Sequence, residues 1–559
     1  MEKRVVVFLL LSLAIIFGYD YALKELGWAP QQTMTPDSAT SGQPDTTAKS
    51  TRADDTGQPA TPPVAVPSAT PLESERKPPG AVPPATDEWV DVDTPLYHAK
   101  LSTRGATVAS WELKRYRGSS AERPAIQLVR QEGGFAGPLT IATGDPAVSK
   151  EISGTLYSVE KDFSTLDEAH PLGHLVFRHQ DTASGRFIEK QLTFHSDSYL
   201  IDVAVKTQGI DGSVSVSLGT NFGIVEWGDG LIGLIGSASQ VDGKVEKETP
   251  ESEAQRAGSV QWAALQDKYF LSVLIPKQGS AVLVRKEGDK LVSASVRMPV
   301  SASGTALDFQ LYAGPKEYDT LRAMRIGLED TIDFGWFIFG SWSVVKAVAK
   351  PIFYVLRFLN DYTHNYGVTI VLLTVAIKML FVPLQFKSYK SMKQMQVIQP
   401  KVLALQDKFK DDRDRLNKEL IKLYRDHKVN PVGGCLPMVL QMPVFVALFN
   451  ILYMTIDLRQ APFMLWITDL SVQDPYYVLP LIMGATMVIQ QKITPTTMDP
   501  AQAKIMLILP VFMTFLFVNF PAGLVLYWLT NNVLTIGQQI ITDRYVFKHR
   551  PVLAGLDVS

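Results

Sequence analysis

Residues Gly367–Phe386, GVTIVLLTVAIKMLFVPLQF, form an apolar run broken near its middle by one full charge, Lys378. Its length suits a transmembrane helix, for which about 20 predominantly apolar residues suffice. A charge at bilayer depth costs roughly 2.5–3.5 kcal/mol even on the lenient insertion scale, so such side chains face a partner, a bundle interior or a water-filled cavity. Snorkelling to the interface is the alternative. Lys378 stands nine residues before Lys387, the first charge beyond the run. That is about 13 Å at 1.5 Å per residue, more than a lysine stem recovers. A hydrated functional position is the expectation for Lys378.

Four further apolar runs follow, at 431–455, 475–491, 503–520 and 522–541, each able to cross a bilayer, the second only just. Phe520, Pro521, Ala522 and Gly523 leave so little chain between the last two that they must form an antiparallel hairpin. Twelve lysines and arginines lie in 387–430 against six acidic residues, whereas 456–474 carries only Arg459. The positive-inside rule therefore puts 387–430 in the cytoplasm and 456–474 outside. Lys492 and Lys504 in and beside the 492–502 loop, then Arg544, Lys548 and Arg550 in the 542–559 tail, agree with that alternation.

The N-terminal half is different. Residues 1–30 open MEKR and continue into an apolar run from Val5 without a small-x-small cleavage pattern, which reads as an uncleaved signal anchor with Lys3 and Arg4 inside. Residues 31–86 are dominated by Pro, Thr, Ser, Ala and Gly and cannot bury enough surface to fold, so they read as a tether. Between 87 and 325 the period becomes two: Ile201, Val203 and Val205 alternate with Asp202, Ala204 and Lys206, and Leu307, Phe309 and Leu311 with Asp308, Gln310 and Tyr312. Half-buried strands at short intervals predict a large antiparallel β-sandwich. Residues 326–365 are apolar but carry Lys346, Lys350 and Arg357 on one helical face, which suits an amphipathic helix lying in the membrane interface. The fold class is thus a multidomain integral membrane protein. It has six spans, 366–386 being the second, both termini in the cytoplasm, and a sandwich outside, which is the periplasm of a Gram-negative cell.

Motifs for chemistry are missing. Cys435 is the sole cysteine, so no internal disulfide or cysteine-based zinc site can form; a buried small hydrophobe is its expected role. Gly228, Gly230 and Gly233 match GxGxxG only formally, because no helix pattern follows them. His170, His174 and His179 lie at spacings that mix the faces of a strand. No enzymatic activity, cofactor or metal is expected. In 387–430, apolar residues recur at helical spacing and predict two amphipathic helices joined near Asp411. Such a hairpin is either a solvated connector near anionic lipid or a docking site for a ribosome or targeting factor. Polar residues gather within the spans: Thr374 one turn before Lys378, and Gln441, Asn450, Thr530, Asn531 and Asn532 elsewhere.

GPKEYDTLR at 314–322, FVPLQFKSYKSM at 381–392, NPVGGCLPMVLQMPVF at 430–445, LRQAPF at 458–463, DPYYVLP at 474–480 and FPAGLVLYW at 520–528 closely resemble the YidC/Oxa/Alb family of membrane protein insertases. The resemblance implies an insertase that needs no nucleotide, with five spans around a hydrophilic groove open to the cytoplasm and the lipid. By that resemblance Lys378, Thr374, Gln441 and Asn532 line the groove, although many members carry arginine where this chain has Lys378. Met442, Pro443, Phe445, Phe512, Phe517 and Pro521 match an apolar slide along which a nascent span leaves, and Tyr527 and Trp528 match aromatic residues that contact it. The implied partners are nascent inner-membrane proteins, the Sec translocon, membrane lipid, and ribosome or signal-recognition machinery at the cytoplasmic hairpin and tail. A secondary transporter or channel with Lys378 as an anion site is the rival reading. It predicts internal repeats, and the sequence shows none. A membrane-anchored carbohydrate-binding protein leaves five further spans without a purpose.

Overall fold

The computed structural model describes residues 86–547 except 119–123, 131–134, 226–234, 249–252, 335, 338–339, 342, 410–411, 428, 430–435 and 495–507. The expected anchor, the tether up to residue 85, Cys435, the three glycines from Gly228 to Gly233, most of the 492–502 loop and the tail beyond 547 lie outside the described residues.

Residues from Trp89 to Pro315 build three antiparallel sheets. The largest has nine strands in the spatial order Lys244–Glu248, Gly236–Val241, Val260–Gln266, Phe270–Pro276, Thr305–Pro315, Leu200–Gln208, Arg186–His195, Leu172–Asp181 and Ser158–Lys161. A five-stranded sheet containing Gly212–Thr220 and Leu291–Val300 shares its core, and a four-stranded sheet from Trp89 to Gln127 completes the domain. The period-two pattern translates directly into burial. Ile201, Val203 and Val205 point inward against Val214, Val216 and Leu218 of the facing sheet, together with Leu307, Phe309 and Leu311. Tyr312 departs from the alternation: it is fully buried, as are Leu311 and Ala313, and its hydroxyl donates to the Pro315 carbonyl at 2.6 Å. Both faces are covered at that end of the strand, so the polar partner of the tyrosine has to come from the chain itself.

Lys190 ties the three sheets together. It stands on Arg186–His195, is 1% exposed, and its Nζ donates to the carbonyls of Gly105 (2.7 Å), Ala106 (3.0 Å) and Leu139 (2.8 Å). Those carbonyls belong to the turn inside the four-stranded sheet and to the approach to Ile141–Thr143 of the five-stranded one. Three acceptors match the three donors of an ammonium, which is how a lysine is accommodated in a core. His170 Nδ1 lies 3.3 Å from Asp167 Oδ1, His174 Nδ1 lies 3.1 Å from Thr193 Oγ1, the His179 ring packs beside Tyr157, and no metal-binding cluster occurs among the described residues.

After a two-stranded hairpin, Trp336–Phe337 with Gly340–Ser341, the C-terminal part is helical: α1 (Ser343–Thr363), α2 (Tyr366–Lys408), α3 (Arg413–Asp426), α4 (Leu436–Met454), α5 (Val478–Ile493), α6 (Ile508–Phe517) and α7 (Ala522–Ile541). The amphipathic helix expected over 326–365 occupies only α1, after a 3-10 turn at Leu328–Thr331. Its Val345, Ala349, Phe353 and Leu356, spaced by three and four, are buried, while Phe358 and Tyr362 are exposed. Two of its three basic residues face carboxylates: Lys346 pairs with Asp330 at 3.0 Å and Arg357 with Asp319.

Helix α2 is capped by Asn365, whose side-chain oxygen accepts from Gly367 N and Val368 N, and then runs for 43 residues. Span and first hairpin helix, expected as separate elements meeting at Phe386, are therefore one helix about 65 Å long at 1.5 Å per residue. Pro383 and Pro400 lie within it; each removes one backbone bond without ending the helix. Among the described residues α2 is the one helix whose length and hydropathy suffice for a bilayer crossing, with shorter apolar helices at Gln441–Met454, Val478–Ile493 and Ile508–Phe517.

The β domain is docked on the helices. Asn450 of α4, fully buried, donates through Nδ2 to the Phe334 carbonyl at 2.8 Å. In the 456–474 loop, Arg459 and Gln460 donate to the Arg117 carbonyl at 2.8 and 3.1 Å, and the Arg459 guanidinium lies 5.2 Å from the Tyr269 ring centroid. Burial raises the carboxyl of neighbouring Asp457, a shift that Arg357 opposes and that Glu317 and Asp319 reinforce.

Candidate functional site

The same α2 sequence that forms an apolar span places Lys378 where α2 meets α7. Its side chain is 7% exposed, and Nζ donates to Thr535 Oγ1 at 2.6 Å and Asn531 Oδ1 at 3.3 Å. Asn531 and Thr535 are four residues apart and so share one face of α7, and the Thr535 hydroxyl in turn donates to the Asn531 carbonyl at 2.6 Å. Both partners are neutral. Among the described residues no carboxylate pairs with Lys378, and one of its three donors has no partner in this pair of bonds.

The seam that holds this geometry is set by local chemistry. Where α7 begins, Gly523 lets the chains approach: a Cβ there would lie 3.5 Å from Ile370 Cδ1 and 3.0 Å from Leu458 Cδ2. Gly523 N also donates to the Leu470 carbonyl at 2.9 Å, and Ala522 N to that of Val472 at 2.7 Å, which fastens the start of α7 to the 456–474 loop. The same loop is pinned over the start of α2 by the Asn365 Nδ2 bond to the Phe463 carbonyl, 2.9 Å. Advancing eight residues from Ile370 reaches Lys378 and from Gly523 reaches Asn531, so α2 and α7 run side by side in the same direction.

Thr374 is buried one turn before Lys378, but its hydroxyl donates back to the Ile370 carbonyl at 2.6 Å. Gln441 stands at the other side of α2, with its Oε1 3.5 Å from Gln385 Nε2. Asn532 turns toward α5, donating to Thr486 Oγ1 at 3.3 Å, and two turns further along the same face Gln539 donates to Thr494 Oγ1 at 2.9 Å. The structure therefore brings Asn531 and Thr535 to the lysine, and gives Asn532 to a polar ladder between α5 and α7. The role of Thr535 has no signal in the sequence beyond its i, i+4 relation to Asn531.

The apolar residues divide in two. Phe445, Phe517, Tyr527 and Trp528 form an aromatic cluster between α4, α6 and α7, with Trp528 edge-on to Phe445 at 5.0 Å and to Phe517 at 4.7 Å. Tyr527 and Phe517 are buried, Pro521 is buried at the start of α7, and Phe512 is half-buried. Met442, beside the Pro443 interruption of α4, is 42% exposed. The most open apolar face belongs instead to α6: Ile508, Val511 and Phe515 at 65, 65 and 78%.

Two family models match the chain, a YidC periplasmic domain over residues 89–355 and a 60Kd inner membrane protein over 358–549. The membrane protein insertase YidC of Geotalea daltonii is 38% identical over 559 residues, covering 97% of this chain and 99% of that protein. The chain belongs to the YidC family. The membrane protein insertase YidC of Syntrophus aciditrophicus is likewise 38% identical, over 97% of this chain and 100% of its own length. Among solved structures, an active YidC insertase crystal structure with its first transmembrane domain resolved covers 83% of this chain at 18% identity and a TM-score of 0.35. The periplasmic-domain model covers the β domain and runs into α1, and the second model covers the end of α1 and the helices α2–α7.

Proposed function

We propose that this chain is a membrane protein insertase whose working site is the polar seam at Lys378. A short polar or acidic segment of a nascent inner-membrane protein leaves bulk water there. Lys378, with Asn531 and Thr535 on α7, offsets the desolvation of that segment. The client's apolar helix then leaves along Met442, Pro443, Phe445, Phe512, Phe517, Pro521, Tyr527 and Trp528 into lipid, each large side chain contributing about 1.5–3 kcal/mol as it is buried. An inside-negative potential adds about 2.3 kcal/mol per 100 mV for each acidic charge moved outward. No bond is made or broken in this cycle. The topology that suits it has six spans, both termini in the cytoplasm and the β domain in the periplasm. The Sec translocon, and ribosome or targeting factors at the α2–α3 hairpin, are the partners it would work beside.

The observation that carries this reading is a buried ammonium whose hydrogen-bond partners are neutral oxygens. A structural ion pair would place a carboxylate there; this lysine keeps its charge available for a visiting one. Purified full-length protein in liposomes, given a single-span client with a short acidic tail and no nucleotide, is expected to yield protease-protected client. Absence of insertion, with movement of small anions across the same vesicles, would replace the insertase by the transporter reading.

A further inference from the structure

Beyond Lys378, α2 meets α7 a second time. Immediately after α7 the backbone widens into a π-helical turn, Thr542–Phe547. Asp543 in that turn uses both carboxylate oxygens on α2: Oδ2 accepts from the Tyr389 hydroxyl at 2.6 Å, and Oδ1 lies 3.3 Å from Lys393 Nζ. Lys393 Nζ is also 5.6 Å from the centroid of the Tyr389 ring, so the three side chains form one knot. Tyr389 is 8% exposed. The two ties are eleven residues apart on α2, about 16 Å at 1.5 Å per residue.

Pro383 lies between them. It removes the backbone bond to the carbonyl four residues earlier and crowds that carbonyl, which makes it the natural bending point of α2. On one side of this point α2 is held by Lys378. On the other, Asp543 supplies a charge-assisted fastening, among the stronger kinds of hydrogen bond. Asp543 thereby adds a restraint on the outer half of α2, and on α3 behind it, against bending at Pro383.

We propose that Asp543 is a positioning residue for insertion: by holding Tyr389 and Lys393 it helps fix the outer half of α2 and the α2–α3 hairpin relative to the Lys378 site. This rests on the insertase reading above. The π turn has a role in it, since a residue at the end of an unbroken α7 would present its side chain at a different angle to α2.

The test uses the full chain in lipid nanodiscs with spin labels at Ile421→Cys on α3 and Val533→Cys on α7, both more than half exposed, in a Cys435→Ser background. Asp543→Asn and Tyr389→Phe are each expected to broaden the measured distance distribution at least twofold. In liposomes the same variants are expected to slow client insertion three- to tenfold while leaving the ratio between acidic-tailed and neutral-tailed clients unchanged, because that ratio belongs to Lys378. The exchange Lys393→Asp with Asp543→Lys restores the ion pair but not the acceptor of the Tyr389 hydroxyl, and should recover part of both width and rate, which a general folding defect would not allow. Tyr389→Phe keeps the ring packing and so remains informative if Asp543→Asn fails to fold. An unchanged distribution, or a broadened one with insertion at the unmutated rate, overturns the positioning role. Failure of the unmutated protein to insert any client overturns the insertase reading instead, and is recognised because it precedes any mutation.

Discussion

Replacing Lys378 by methionine keeps the length and apolar stem of the side chain and deletes its charge. At about 4 Å and an effective dielectric constant near 20, an ammonium and a carboxylate attract by roughly 4 kcal/mol. Lys378, at 7% exposure, is in that regime rather than in bulk water. A visiting carboxylate must share Nζ with Thr535 and Asn531, and each of those hydrogen bonds is worth about 1 kcal/mol net. The remaining advantage is about 2 kcal/mol, or roughly thirtyfold at 1.4 kcal/mol per factor of ten. In reconstituted liposomes, Lys378→Met should therefore slow insertion of a client with one acid in its outward tail about thirtyfold, and a neutral-tailed client by less than threefold. Lys378→Arg should return the acidic client to near its original rate. Equal losses for the two clients would refute the electrostatic argument and transfer the work to the apolar exit path.

In the β domain, burial pushes the Lys190 ammonium down to about 7, against about 10.4 in an unfolded chain. Between those values the unfolded state binds the extra proton, so stability should rise with pH by up to about 1.4 kcal/mol per unit, and be lowest at and below pH 7. Lys190→Met should reduce that slope in denaturation followed through the buried Trp111 and Trp262, leaving the share of Lys316, which burial lowers likewise, and an identical slope in the variant would assign it wholly to other groups. Asn450→Leu deletes the bond to the Phe334 carbonyl and leaves that buried acceptor unsatisfied, a loss of about 1–3 kcal/mol. Amide exchange in 328–334 should accelerate while exchange in the strand Leu200–Gln208 stays as it was. Gly484→Ala would drive its Cβ into Thr514 Oγ1, and threonine's stiff χ1 gives little room to yield. The variant should lose thermal stability, and a second change, Thr514→Ala, should recover most of it.

The hairpin in 387–430 shows where sequence reading stops short. Apolar spacing identifies two helices, and α3 with the outer part of α2 are those helices. Their charge pattern gives no sign that the first continues unbroken from the span through Pro383, because a proline inside a helical pattern signals an end as readily as a kink. The basic stripe of α1 has the same lesson. Lys346 and Arg357 share a helical face by periodicity alone, yet whether that face meets lipid headgroups or Asp330 and Asp319 depends on the domain docked beside it.

Period-two alternation is a local property, which is why the inward residues of Leu200–Gln208 and Gly212–Thr220 are legible in the sequence alone. The same holds for the depth of Lys378, since apolar length and residue rise fix it without reference to neighbours. Helix rotation is another matter. Asn531 and Asn532 are adjacent, and at 3.6 residues per turn they point about 100° apart, so composition cannot say which of them meets the lysine. Packing of α7 between α2 and α5 decides: Asn531 turns to Lys378 and Asn532 to Thr486. The sequence by itself thus determined that a charge interrupts an apolar run of spanning length, and how far it stands from the end of that run. Only the tertiary structure determined which neutral oxygens receive it, because the rotation of a helix about its axis is set by the surfaces on either side of it.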